Sequence, residues 1–237
     1  MNMEKYGYYF ILNGDNDEIE KYKKIAVDYV EIFRDNGNWF LSSDAIREEK
    51  DYSSAKNIAE GYLKLLHGIT TLYIGCSYNI RINGFVNKTK DDTNTTLTKE
   101  IACTVTVVKD FRNEDINCAK ELFRIAIQNK ERSDYKLSEI LKILKNGYPL
   151  DYYDSYKVIE LIGKDRCMKV IGERFDELKA NLNSEYHQGE NARHSRVTNR
   201  KDEMKVRKLS KDEIDKNIRG IINNYIKDLC NDMMAES

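Results

Sequence analysis

Residues 182–196 read Leu-Asn-Ser-Glu-Tyr-His-Gln-Gly-Glu-Asn-Ala-Arg-His-Ser-Arg and gather two of the three histidines, His187 and His194. Arg193, Arg196, Glu185 and Glu190 stand around them, with Gly189 between. These residue types suit phosphate chemistry. An arginine fork holds two phosphate oxygens through parallel N–H bonds, and imidazole exchanges a proton near neutral pH. His187, His194 and Arg193 are therefore the catalytic candidates for metal-free phosphodiester cleavage. The same residues also fit a plainer role: a helix end followed by a surface loop turned at Gly189, with His and Arg complementing the helix dipole.

Binding chemistry extends beyond that cluster. Arg193, His194, Arg196, Arg200, Lys201, Lys205, Arg207 and Lys208 follow one another, interrupted by Asp202 and Glu203. Such a stretch contacts phosphates through charge, or serves as an exposed connector. It lacks the interleaved aromatic residues that stacking on single strands requires. Tyr156 and Glu160 are four apart and share a helical face. A carboxylate on a largely apolar helix needs a partner if it is buried, and Arg193 or His194 is the expected one. The binding candidates are thus Glu160, Tyr156, Glu190, Arg196, Arg200 and Lys201.

Absent motifs narrow the chemistry. The sequence has no Gly-x-x-x-x-Gly-Lys-Ser/Thr, Gly-x-Gly-x-x-Gly, Gly-x-Ser-x-Gly or His-Glu-x-x-His. No cofactor is expected, and no metal site. Asn13-Gly14-Asp15-Asn16-Asp17-Glu18 resembles part of a calcium loop but lacks its oxygen spacing and closing Glu; helix capping explains it better. His67, before Gly68, reads as a helix C-cap residue.

The elements that must position these groups follow from periodicity. Tyr8, Phe10 and Leu12 alternate as a strand ending at Asn13-Gly14-Asp15. A helix is expected from Asp17 through Ile19, Tyr22, Ile25, Ala26, Tyr29, Ile32 and Phe33, stopped at Asp35-Asn36-Gly37-Asn38. After Trp39-Phe40-Leu41 a second helix carries Ala55, Ile58, Ala59, Tyr62, Leu65 and Leu66 and closes at His67-Gly68. Thr70–Ile74 and Tyr78–Asn83 carry β signals, Lys88–Thr96 reads as a hairpin loop, and Ile101–Val108 as the return strand. Helices follow at about 113–130, 134–145, 152–162 and 165–186. A last helix opens on the capping box Ser210-Lys211-Asp212-Glu213. Its stripe of Ile214, Ile218, Ile221, Ile222, Tyr225, Ile226, Leu229 and Met233 belongs in a bundle core or a homodimer interface. The fold class is α+β: a small antiparallel sheet with helices over 1–110, then an all-α bundle over 111–237. The seam lies near Lys109–Asn113, or alternatively at Asn146-Gly147-Tyr148-Pro149.

Composition bounds the partners. Lys+Arg 39 against Asp+Glu 40 gives a net charge of −1, so no whole-molecule field draws the chain to nucleic acid or membrane. Any such preference must be local. No apolar run approaches the ~20 residues of a membrane span, and the N-terminus lacks signal-peptide layout. Five scattered cysteines without a Cys-x-x-Cys pair fit reduced thiols and a cytosolic setting.

One resemblance joins these observations. Tyr156-Lys157-Val158-Ile159-Glu160-Leu161-Ile162, then a helix ending in Gly189-Glu190-Asn191-Ala192-Arg193-His194 and a final capped helix, resembles a widespread set of bacterial proteins. In outline it is similar to HEPN-type helical domains, whose hallmark is Arg, a polar residue, three residues, then His. Asn183 and His187 match the polar residue and the His, while Leu182 stands at the arginine position. The resemblance spans residues 150–235. It implies a helical, often dimeric domain associated with bacterial defence and RNA metabolism. With the arginine replaced, the leading expectation is an RNA- or partner-binding module without strong catalysis. A metal-independent endoribonuclease and a small-molecule sensor are the alternatives.

Overall fold

The computed structural model describes residues 5–26, 28–89, 93–97, 113–128, 135–183 and 207–236. The chain divides into two units at Asn146/Gly147, which is the Asn-Gly-Tyr-Pro break and not the 110/111 boundary. The reason is packing: the two helices that follow residue 112 lie on helices of the N-terminal unit.

In that unit, β1 (Gly7–Asn13) is apolar on both faces, with every residue from Tyr8 to Leu12 buried. Such a run suits a central strand. It lies antiparallel between β3 (Asn38–Ser42) and β4 (Arg81–Lys88), in the five-stranded order β2-β3-β1-β4-β5 with β2 (Glu31–Asp35) and β5 (Thr93–Leu97) at the edges. One face clusters Tyr9, Ile11, Phe40 and Val86. On the other, Tyr8, Phe10 and Phe85 meet Tyr52, whose ring centroid lies 4.4 Å from that of Phe85.

Several expected elements change type. Helix α1 (Asn16–Ile25), capped by Asp15 through the Asp17 and Glu18 amides, stops at Ile25. Tyr29, Ile32 and Phe33 only happen to continue its period, because Ile32 and Phe33 belong to β2. Asn36-Gly37 is the hairpin turn between β2 and β3, with φ of 47° and 84°. A two-residue turn with both φ positive matches strand twist, and Asn-Gly is its preferred pair. After the short α2 (Asp44–Arg47), α3 (Tyr52–Ile74) runs unbroken through His67-Gly68 and the β-forming Thr70–Ile74. Burial of Ile69, Thr70, Thr71 and Ile74 overrides their propensity. β5 overlaps the end of the stretch expected as a loop, while the expected strand 101–108 lies outside the described residues.

Helices α4 (Asn113–Gln128) and α5 (Lys136–Leu144) complete the unit. α5 crosses α3 at Gly68, where an added Cβ would lie 2.1 Å from the Leu141 carbonyl oxygen. Only glycine admits that approach.

The regular elements among the described residues of the C-terminal unit are all helices. They are α6 (Tyr152–Ile162), α7 (Lys164–Ile171), α8 (Arg174–Asn183) and α9 (Lys211–Glu236). The single helix expected over 165–186 is two, parted at Gly172 with φ 59°. The Ser210 capping box forms as read: the Glu213 amide donates to Ser210 Oγ at 3.2 Å, and the Ser210 amide to Glu213 Oε2 at 2.9 Å. Ile214, Ile218, Ile221, Ile222 and Tyr225 are buried inside the chain, with α9 packed on α6 and α7. These five positions are core, one of the two expectations for the stripe, while Ile226 and Leu229 beyond them are half-buried. Among the described residues, no helix is long and apolar enough to cross a membrane.

Candidate functional site

Of the residues singled out by type and spacing, His187, Glu190, Arg193, His194, Arg196, Arg200 and Lys201 lie outside the described residues. Tyr156 and Glu160 do not share an environment. Tyr156 is buried, whereas Glu160 is exposed on α6. An ion pair made by Glu160 is therefore a solvated one, not the interior pair expected for it. The two chain ends that flank the polar segment are fastened together by Asn181, which is fully buried. Its amide donates to the carbonyls of Glu177 and Arg207, both at 2.9 Å, and its Oδ1 accepts the Leu209 amide at 2.8 Å. Each of these hydrogen bonds goes to backbone, so Asn181 is a structural clasp.

The N-terminal unit holds a different constellation, built on α3. Lys56, Glu60, Lys64 and His67 are spaced four, four and three residues apart, and so form one stripe along the helix. Glu60 sits 3.6 Å from Lys56 Nζ and 3.8 Å from Lys64 Nζ, with all three side chains about 40% exposed. Half-exposed pairs of this kind contribute about 0–1 kcal/mol and exchange readily for another anion. Arg81, the first residue of β4, and Lys145, which follows α5, close the stripe into a cleft of about 300 Å³. Leu63 and Ile82 supply its apolar lining.

The position of Lys145 follows from the Gly68 crossing. Leu141 touches α3 there, and Lys145 comes one helical turn later, beside the next residues of the stripe. Among the described residues neither Arg81 nor Lys145 has a carboxylate within 4 Å. Four cationic side chains thus share the cleft with one carboxylate among the described residues.

His67 lies at the foot of the stripe against Tyr22, ring centroids 5.7 Å apart. Its Nε2 is closed off from solvent and has no hydrogen-bond partner. Burial pushes its pKa down to about 4; the charges of Lys145 and Arg81 add to that, and a hydrogen bond to the Ile80 backbone opposes it. With Nε2 unpartnered, Nδ1 is the nitrogen that donates to the Ile80 carbonyl. The ring is neutral at pH 7, so it neither adds to the positive field nor supplies a proton. Among the described residues no group of three or more His, Cys, Asp or Glu side chains could hold a metal ion.

The sequence reading missed this site. Its signal was the Lys56–Glu60–Lys64–His67 spacing, obscured because His67 was assigned to a helix end that lies seven residues further on, at Ile74. No family model matches the chain, and no curated protein or solved structure matches it either. The likeness to HEPN domains rests on the residues quoted for it.

Proposed function

We propose that this chain is a binding module without strong catalysis, whose ligand is a phosphate-bearing anion held in the α3–β4–α5 cleft. The charge surplus carries the reading: Lys56, Lys64, Arg81 and Lys145 face one cleft, with Glu60 as the single carboxylate among its described lining residues. Arginine contributes a fork that fits two phosphate oxygens, and lysines contribute point charges. RNA is the first source of such a ligand, in keeping with the RNA-binding expectation from the sequence. Within this proposal the setting is the bacterial cytosol, in a defence or stress role, as the HEPN likeness implies.

Catalysis fits the described part poorly. General acid–base work needs a group that titrates near the working pH and reaches the ligand. His67 meets neither requirement, being held neutral and closed at Nε2. The rival endoribonuclease depends on His187, Arg193, His194 and Arg196.

The test is a titration of labelled single-stranded RNA, run at two salt concentrations and followed by an assay for cleavage in the presence of chelator. Binding that weakens with salt and drops at least tenfold in Arg81→Glu/Lys145→Glu, with no cleavage, is the expected result. Binding unchanged in that double variant removes the cleft from the proposal. Chelator-resistant cleavage lost in His187→Ala replaces the binding module with the nuclease.

A further inference from the structure

The charges of the cleft come from three elements and not from a single row. Lys56 and Lys64 reach in from α3, Arg81 from the start of β4 and Lys145 from the end of α5. A groove that tracks a nucleic-acid backbone strings its cations out and interleaves aromatic platforms. Here the only ring among the described lining residues is that of His67. The volume of about 300 Å³ sits at the small end of ligand pockets, enough for one small ligand and not for a strand passing through.

The charge count points the same way. Glu60 shares its single charge between Lys56 and Lys64, while Arg81 and Lys145 have no acidic partner among the described residues. One carboxylate against four cations leaves a surplus of three positive charges among the described lining residues, which favours a group bringing more than one negative charge. An internal phosphodiester carries one charge, whereas a terminal phosphate monoester carries about −1.5 to −2 at pH 7. Leu63 and Ile82 offer apolar contact to whatever the phosphate is attached to.

We infer that the cleft recognises a terminal phosphate monoester on a nucleotide-sized body, with the Arg81 fork and Lys145 Nζ on the phosphate. The inference rests on the proposal that this cleft is the ligand site. A free mononucleotide and the 5′-phosphorylated end of an RNA share the required chemistry.

Full-length protein would be titrated with inorganic phosphate, adenosine, adenosine 5′-monophosphate and one oligoribonucleotide in 5′-phosphate and 5′-hydroxyl forms. The expected result is that the monophosphate binds at least tenfold more tightly than adenosine. The 5′-phosphate oligonucleotide should exceed its 5′-hydroxyl form by a similar factor. Arg81→Gln and Lys145→Gln, changes at the rim of the cleft that leave the core intact, should each remove most of that preference while the thermal unfolding midpoint holds. Preference for the phosphorylated oligonucleotide alone identifies the RNA end as the source; equal preference for the mononucleotide identifies the free ligand. If both oligonucleotide forms bind equally, and both weaken in the cleft variants, terminal recognition is wrong while the anion-binding cleft stands. If no probe binds, or the variants change nothing, the cleft reading falls as well.

Discussion

Two places in the N-terminal unit bring cations against the sheet, and they end in opposite states. At Arg47 every charge is answered. Its side chain is 4% exposed, and Nη1 and Nη2 donate to the two Glu31 carboxylate oxygens at 3.0 and 2.8 Å. Nη2 also meets Asp44 Oδ1 at 2.7 Å, and Lys5 Nζ reaches the same carboxylate at 2.9 Å. Ser42 accepts from Nη1 while donating to the Tyr8 carbonyl, and the guanidinium lies 5.9 Å from the Tyr9 ring centre. In the α3–β4–α5 cleft, among the described residues, four cations face one carboxylate and a histidine that stays neutral. Matched charges fasten α2 to the β1–β3 region. Unmatched charges store repulsion that a ligand can relieve. The contrast separates a structural use of cations from the binding use proposed for the cleft without appeal to their number.

The largest expected effect tests the joint on which the cleft depends. Gly68→Ala places a methyl 2.1 Å from the Leu141 carbonyl oxygen, and the obstacle is backbone, which cannot rotate away. Overpacking of this kind costs about 1–3 kcal/mol or more, seen as a lowered urea midpoint. Phosphate-monoester binding should also be lost, because the shift of α5 carries Lys145 with it. Unchanged stability in Gly68→Ala would show that the helices do not meet as closely as described.

Next in size is the charge contrast itself. Arg47→Ala removes hydrogen bonds to two carboxylates, bonds worth about 1.5–3 kcal/mol when one partner is charged, discounted here because Glu31 and Asp44 are more than half exposed. A loss of about 1–2 kcal/mol is expected. Lys145→Gln should leave stability unchanged or raise it slightly, since it relieves like-charge repulsion. Equal destabilisation by the two substitutions, read from urea unfolding, would erase the distinction between fastener and receptor.

What the sequence revealed divides along similar lines. Local patterns were legible: the Ser210 capping box, the apolar stripe of α9 and the alternation in β1 all rest on neighbours a few residues away. The errors came where two periods coincide or where packing decides. Ile32 and Phe33 continue the α1 stripe by chance, and Asn36-Gly37 serves a helix stop as well as a hairpin. Thr70–Ile74 prefers strand geometry until burial holds it helical. The cleft was illegible for a different reason: Arg81 and Lys145 are 64 residues apart, and they reach the Lys64–His67 stripe from separate elements, Lys145 through the Gly68 crossing and Arg81 from the start of β4. The clasp at Asn181 was equally hidden, since its partners Arg207 and Leu209 lie beyond the polar segment.

Acid titration separates the two regions by their pH windows. Asp44, held at a pKa of about 2 by Lys5 and then Arg47, binds its proton less readily folded than unfolded. Its contribution is present above its usual 3.8 and is lost as pH falls from about 4 toward 2. His67 also binds its proton less readily when folded, with a pKa of about 4 against the usual 6.5. Below pH 6.5 the unfolded chain takes up a proton that the folded chain refuses, so stability falls as pH drops from 6.5 to about 4. His67→Gln should flatten the upper window and Asp44→Asn the lower. Each variant should leave the other window alone in urea midpoints measured against pH. A bound phosphate monoester offsets the Lys145 and Arg81 charges, so it should also raise the His67 pKa in an NMR titration.

The smallest effect belongs to Glu160, and its smallness is the point. A carboxylate buried beside a cation would leave that cation stranded when removed, at a cost of about 3–5 kcal/mol. Glu160 is exposed on α6, where water screens whatever charge it meets. Glu160→Ala should therefore change stability by no more than about 0–1 kcal/mol, and raised salt should shrink even that. In this respect Glu160 resembles Glu60 of the cleft, a carboxylate in exchangeable, half-solvated pairs, and differs from Glu31, which answers a buried guanidinium. Urea unfolding of the three Glu→Ala variants should then rank Glu31 well ahead of Glu60 and Glu160. A large loss at Glu160 would restore the interior ion pair and with it a polar centre in the C-terminal unit.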